Sequence, residues 1–242
     1  KNVHLSSISG GTDIVSCFVL GNLYQPVYLG EIQNKGLALD VKVYSERGKS
    51  LKNSKGELVC VNPFPSIPLK FWKDKNDVKF REAYFNKYKN IWHHGDFAEI
   101  KNTGGFIIYG RSDTTLNPGG VRLGTAEIYS EVEKFDEIRE AIVVGQSWDN
   151  DIRIILFIIM NKNSLINDSL IKKIKLQIRK NASPRHVPSK IIVVKDIPRT
   201  KSGKIVELAV KNTIEGNEIK NMEALVNPEV LKEYKNIKEL KY

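Results

Sequence analysis

Four short segments hold residues whose types and spacing suit chemistry on a phosphate-bearing substrate. The first is Ser9-Gly10-Gly11-Thr12-Asp13. Its glycines let backbone approach a ligand closely, while Thr12 and Asp13 offer a hydroxyl and a carboxylate suited to phosphate and Mg²⁺. The second is Trp92-His93-His94-Gly95-Asp96. Paired histidines suggest a metal, but no further ligands stand at zinc spacing. Asp96, following a glycine at a strand edge, can accept two hydrogen bonds from a ribose diol. The third runs from Tyr109 through Gly110-Arg111-Ser112-Asp113 and Asn117-Pro118-Gly119-Gly120-Val121-Arg122 to Thr125-Ala126-Glu127-Ile128. It is no Walker A loop, because no Gly-Lys-Ser/Thr follows its glycines, and it contains no Gly-x-Gly-x-x-Gly. The fourth is Pro198-Arg199-Thr200-Lys201-Ser202-Gly203-Lys204, where a glycine frees the backbone just before Lys204, as a swinging active-site lysine requires. Taken singly, these segments read as a polar turn, a capping aspartate, a glycine-rich linker and a solvated basic loop. Their order along one chain is what gives them weight.

The elements that must position them change character near residue 112. Before it, short strand patterns alternate with Gly, Pro and Asn. Leu39, Val41 and Val43 alternate with Asp40 and Lys42, which predicts a strand with one buried face. A turn at residues 46–49, strands at 57–61 and 106–109, and a short helix over 79–88 complete a β-leaning piece expected to form a small barrel. After residue 112, Thr125 is the expected N-cap of a helix over 126–135. Strands are predicted at 141–145 and 152–160. Asn167-Asp168 should cap a helix with Leu170, Ile171, Ile174 and Ile178 on one face and lysines on the other. Pro184 and Pro188 prevent that helix from continuing. A strand at 190–194 and a helix over 205–213 follow, and residues 221–242 are expected to be helical. The fold class is therefore α+β, divided into residues 1–112 and 113–242.

In this order, the four segments resemble the signature motifs of the adenylate-forming superfamily of acyl-CoA synthetases, luciferases and peptide-synthetase adenylation domains. The resemblance covers the chain to about residue 215. The Gly-Arg-x-Asp run and the Pro-x-Thr-x-Ser-Gly-Lys loop are its most specific parts. The strings Pro26-Val27-Tyr28-Leu29-Gly30-Glu31, Trp92-His93-His94-Gly95-Asp96 and Asn117-Pro118-Gly119-Gly120-Val121-Arg122 look like the acetoacetate–CoA ligases rather than the acetate-activating enzymes.

The resemblance implies the β-rich end of a large AMP-binding domain followed by a small mobile α/β lid domain. It implies ATP, coenzyme A and Mg²⁺ as ligands, with a short carboxylic acid as substrate. Thr12 and Asp13 would meet the α-phosphate and Mg²⁺, although the family's commoner acid at the second position is Glu. Asp96 and Arg111 would hold the ribose hydroxyls, and Arg122 would meet phosphate. Asp113 falls at the hinge between the two domains. Gly120 would line the pantetheine tunnel, Arg179 would meet a coenzyme A phosphate, and Lys204 would be the adenylation lysine. The family's phosphate loop and most of its acyl pocket lie upstream of the motifs in these 242 residues. The chain alone is therefore expected to be inactive. A ligase for another short acid and a catalytically inactive fragment remain as alternatives.

Composition agrees with a soluble, cytoplasmic globular protein. No apolar run approaches the roughly 18 residues of a membrane span. The chain starts without Met or a signal-peptide pattern and reads as the interior of a larger protein. The net charge of +10 is spread over scattered lysines, with no aromatic-basic module for nucleic acid. Cys17 and Cys60 lack metal spacing and are expected to be reduced core residues. The strands of residues 1–112 should pack on upstream neighbours, and apolar surface left exposed there could drive self-association.

Overall fold

The computed structural model describes residues 3–219 and 221–242. The chain divides into two compact units, Lys1–Ser112 and Asp113–Tyr242. In the first unit, β1 (Ser9–Gly11), β2 (Ser16–Leu20) and β3 (Asn34–Lys35) form a small antiparallel sheet. Strands β4 (Val41–Tyr44), β5 (Ser50–Leu51) and β6 (Gly56–Cys60) are joined, after helix α1 (Val78–Tyr84), by β7 (Trp92–Ile100) and β8 (Phe106–Arg111). These five strands form a second antiparallel sheet in the order β5-β4-β6-β7-β8. Among the described residues the strands do not close by hydrogen bonds into the expected barrel. Instead Ile32, just ahead of β3, bridges to Phe106 of β8 and joins the two sheets. Ile14, between β1 and β2, and Phe18 and Val19 of β2 share a core with Val41, Val43, Leu58, Trp92 and Phe106 of the other sheet. The period-two pattern at Val41 and Val43 is realised, with both side chains buried and Lys42 between them half-buried. Helix α1 ends at Tyr84, short of the expected 88, where Phe85 leaves helical geometry with φ −125° and ψ 4°, and Tyr84 stacks on Trp92 at 3.7 Å.

In the second unit, helix α2 (Ala126–Val132) precedes a long hairpin of β9 (Ile138–Trp148) and β10 (Asp151–Met160). Asp149 and Asn150 connect the strands with φ of 49° and 58°. That is the left-handed pair a two-residue hairpin needs, and it suits Asp and Asn. Helix α3 (Asp168–Asn181) then crosses over so that β11 (Lys190–Val193) pairs parallel to β10, and α4 (Glu207–Glu215) follows. Strand β10 is apolar on both faces because both faces are covered. Ile154, Leu156 and Ile158 meet Ile128 and Val132 of α2 and Leu170, Ile174 and Ile178 of α3. Ile155, Phe157 and Ile159 meet Val210 of α4 and Tyr234. Asn167 caps α3 as expected, its Oδ1 accepting from Leu170 N at 2.9 Å.

Two local expectations fail. Thr125 stands at the start of α2 but makes no capping bond. It is buried and its hydroxyl serves Glu207, while Glu127 Oε2 accepts from Gly124 N at 3.3 Å. Residues 221–242 form no α-helix. They run as short 3-10 segments at Met222–Ala224, Pro228–Tyr234 and Lys238–Leu240, pinned by buried Leu225, Leu231, Tyr234 and Leu240. The buried side chains here follow tertiary contacts rather than a 3.6-residue stripe.

Candidate functional site

Within the first unit, the polar constellation is built by a bulge in β7. Glu57 and Val59 of β6 are two residues apart, yet they pair with Phe97 and His93, which are four apart. Two residues are therefore extra, so that His94, Gly95 and Asp96 stand opposite Leu58 alone, and Gly95 takes φ +83°. Bulges of this kind re-aim side chains. Asp96 therefore sits inside the sheet, and not at a strand edge as the sequence suggested, but the bulge frees its carboxylate from the regular pleat.

Asp96 lies opposite Arg111 of β8 in register. Its Oδ1 accepts from Arg111 Nη1 at 3.1 Å, and the same Nη1 donates to the His94 carbonyl at 3.0 Å. Ser9 Oγ stands 3.5 Å from Asp96 Oδ2. The carboxylate is nearly buried while the guanidinium is half exposed, so the pair has one anchored and one accessible member. The left-handed φ at Gly95 is what calls for a glycine here, since a side chain would be strained in it.

His94 was considered in the sequence only as a metal ligand. It packs against Gly10 and Gly11 of β1, edge-on to Phe18 at 4.7 Å, with Nδ1 accepting from Trp92 Nε1 at 3.3 Å. A Cβ at Gly11 would lie 2.7 Å from its ring. Burial holds the imidazole below its usual titration range, opposed by the Asp96 carboxylate. Above this ring the chain makes a 3-10 turn at Thr12–Ile14, with Thr12 and Asp13 exposed and Ile14 fully buried as the anchor. The Tyr84 hydroxyl donates to Asp13 Oδ2. Burial, followed by the Asp13 carboxylate, pushes the Tyr84 phenol well above its usual range. Thr12 and Asp13, Asp96, and Arg111 thus come from three separate stretches of chain, with Ser9 beside Asp96, the His94 carbonyl on Arg111 and the Tyr84 hydroxyl on Asp13.

Below them lies a network the sequence did not disclose. Glu57 of β6 is fully buried and accepts from Lys87 Nζ at 2.7 Å, lies 2.9 Å from His93 Nε2, and accepts from the Ser112 hydroxyl. A buried carboxylate needs such partners. This one ties the last residue of the first unit to its central strand.

The second unit carries the other candidate residues. Asp113 is exposed in the 3-10 turn Ser112–Thr114. Leu116 and Leu123 exchange backbone hydrogen bonds at 3.0 and 2.8 Å and so close the loop between them. In that loop Gly119 and Gly120 have φ of 59° and 75°, and the Asp151 carboxylate takes Gly119 N with both oxygens at 2.9 Å. Arg122 Nε stands 3.4 Å from Thr115 Oγ1. Arg179 is on the exposed face in the last turn of α3.

The Lys204 loop explains its own sequence. Thr200 N donates to Lys204 O at 2.8 Å, Thr200 Oγ1 accepts from Lys204 N at 3.1 Å, and Gly203 N donates to Thr200 O at 2.8 Å. Gly203 takes φ +84°, and the Ser202 hydroxyl is 2.9 Å from that of Thr200. The threonine, serine and glycine therefore close a tight turn that presents Lys204 exposed at its end. Three residues on, Glu207 is half-buried at the start of α4. Its carboxyl accepts from Tyr129 OH at 2.8 Å and bonds Thr125 and Thr114. Burial raises it above the usual carboxylate range, with Asp113 adding to the effect. No sequence signal marks Glu207, because its partners come from two remote segments, around Thr114 and along α2.

Residues 127–204 match the AMP-binding enzyme C-terminal domain family. The chain is 56% identical over 240 residues to the acetoacetyl-coenzyme A synthetase of Rhizobium meliloti, covering 99% of this chain and 37% of that protein. It is 48% identical over 242 residues to the acetoacetyl-CoA synthetase of Gallus gallus, covering 99% and 36%. The solved acetoacetyl-CoA synthetase of Streptomyces lividans superposes with a TM-score of 0.91 at 38% identity, over 98% of this chain and 36% of that one. MatB of Rhodopseudomonas palustris, at 18% identity and a TM-score of 0.73 over 87% of this chain and 41% of that one, shares the fold. The chain thus spans a little over a third of the length of the curated relatives it matches.

Proposed function

Because this chain belongs to the adenylate-forming enzymes, whose C-terminal domain it carries at residues 127–204, we propose that it serves as part of an ATP-dependent acetoacetate–CoA ligase. The observation that carries this reading is its similarity along 99% of its length to proteins of that name, at up to 56% identity. The Asp96–Arg111 pair and the self-bonded Lys204 loop supply chemistry that fits it.

In the first step an acid carboxylate oxygen attacks the α-phosphorus of ATP, and the bond to pyrophosphate breaks. In the second the thiol sulfur of coenzyme A attacks the acyl carbonyl, AMP leaves, and the thiol proton goes to solvent. Both steps build negative charge, so catalysis is positioning plus cations aimed at that charge. Asp96 accepts the ribose hydroxyls, with Arg111 alongside holding its carboxylate in place. Thr12 supplies a hydroxyl for the α-phosphate, Arg122 supplies a cation for phosphate, and Lys204 bridges carboxylate and phosphate oxygens during adenylation. Gly120 and Arg179 serve coenzyme A in the thioester step, through a backbone that can lie against pantetheine and a cation for phosphate. Asp113 is the pivot, since an exposed residue in a short turn can absorb a large φ/ψ change.

Asp13 fits Mg²⁺ in donor type. Such sites use one or two carboxylates and leave the remaining positions to phosphate oxygens and water, and the Tyr84 hydroxyl already orients this carboxylate. The metal would neutralise phosphate charge there.

Exposed Leu23, Tyr24, Leu29 and Trp72 in the first unit support self-association of the isolated chain. Among the described residues no helix is long and apolar enough to cross a membrane. The test is pyrophosphate release from acetoacetate, ATP and Mg²⁺ by this chain grafted in place of the matching segment of the Rhizobium meliloti relative. Turnover by the graft and none by the 242-residue chain is expected. A folded but inactive graft overturns the reading.

A further inference from the structure

We infer that residues 224–227 are a positioning strap for the Lys204 loop, with Asn227 as its clasp. The inference rests on the reading of Lys204 given above. The strap lies beyond the family match, which ends at residue 204.

The Lys204 turn holds its own shape, but those internal bonds do not fix where the turn points. Its incoming stem, residues 199–201, is held from outside. Lys201 N donates to Ala224 O at 3.1 Å, and Val226 N donates to Arg199 O at 2.9 Å. Thr200 and Leu225 form an antiparallel bridge between them. Asn227 completes the pairing with both ends of its amide. Its Oδ1 accepts from Arg199 N at 2.9 Å, while Nδ2 donates to Asp196 Oδ2 at 2.9 Å and to Ile197 O at 3.0 Å. Three side-chain bonds from one residue thus span residues 196–199, the segment that leads into the loop.

The strap is anchored at its far side. Leu225 packs with Ala209 of α4 and Leu231. Tyr234 is fully buried edge-on to Phe157 of β10 at 4.9 Å, and its hydroxyl donates to Asp196 O at 2.8 Å. Asn227 therefore couples the stem of the lysine loop to the sheet core. An error of about 1 Å in a catalytic group can cost about a hundredfold in rate, so a lysine on an exposed turn needs such an external reference. Asn227 touches no reacting atom in this account. It acts through Lys204.

Two measurements test this. In the 242-residue chain, Asn227→Ala should speed amide hydrogen exchange at Arg199 and Lys201 by about tenfold or more and leave the buried α3 amides unchanged. Unchanged exchange at Arg199 overturns the strap. In the Rhizobium meliloti graft, the same variant should slow acyl-adenylate formation about ten- to a hundredfold, while thioester formation from supplied acyl-adenylate stays within about threefold. Equal losses in both half-reactions would mean a general structural role.

Asn227→Asp keeps the acceptor for Arg199 N but sets two carboxylates against each other, and should be as slow as the alanine variant. Adding Asp196→Asn reverses donor and acceptor and should recover most of the adenylation rate. Failure of the pair to recover, in folded protein, counts against the clasp. Lys204→Ala is the reference. If it spares adenylation, the proposed function falls and the strap's catalytic role falls with it. If it abolishes adenylation while Asn227→Ala runs at the unmutated rate, the strap alone is overturned.

Discussion

Asp96 and Arg111 face each other across neighbouring strands, joined at 3.1 Å, and the bulge at Gly95 turns the carboxylate out of the sheet's regular pattern. The partners are not equivalent, because the carboxylate is nearly buried and the guanidinium half exposed. Asp96→Ala in the grafted enzyme should raise the ATP concentration for half-maximal pyrophosphate release about tenfold for each ribose bond lost. Arg111→Lys should weaken ATP less, since it keeps the charge but loses the planar fork. An unchanged ATP dependence for folded Asp96→Ala would remove this residue from the nucleotide site.

Lys204→Ala should lower acyl-adenylate formation by about 10²–10³-fold, the scale for losing one preorganised electrostatic contact in a transition state. Thioester formation from supplied acyl-adenylate should persist. Rapid-quench measurement of the two half-reactions separates the outcomes, and equal damage to both would mean the lysine serves another purpose.

At Asp113 the expectation concerns motion. Proline fixes φ near −65°, so Asp113→Pro should hold the turn in one conformation and impair one half-reaction far more than the other. Near-normal rates for both would place the pivot elsewhere.

Glu207 gives a pH-dependent stability signature. Its folded-state value is raised above 4.5, mainly by burial, so between those values the folded chain binds more protons than the unfolded one. The group's contribution to stability is therefore fully present below about pH 4.5 and is lost as pH rises through the folded value. Glu207→Gln keeps an acceptor for Tyr129 without the charge. It should flatten this part of the pH profile and raise the urea midpoint at pH 7 relative to the unmutated chain. A profile unchanged by the substitution would show that Glu207 is not its source.

What the sequence determined by itself was local. Period-two alternation was enough for Val41 and Val43, and Asn167 announced the start of α3 because capping needs only the next three residues. Gly203 marked a freed backbone just before Lys204, while the Thr200 and Ser202 bonds that close the turn appeared only in the fold. Where the partner is remote, the sequence was silent or misleading. Thr125 had the right type and place for a cap, but burial against Glu207 won its hydroxyl. Asp96 was placed at a strand edge because a bulge depends on the register of two strands. The charged tail suggested a helix, whereas Leu225, Tyr234 and Leu240 were drawn inward by apolar surface on β10 and α4. Glu57, Glu207 and Asn227 carry no motif. Their roles come from desolvation and from partners tens of residues away, which only the packed chain brings within bonding distance.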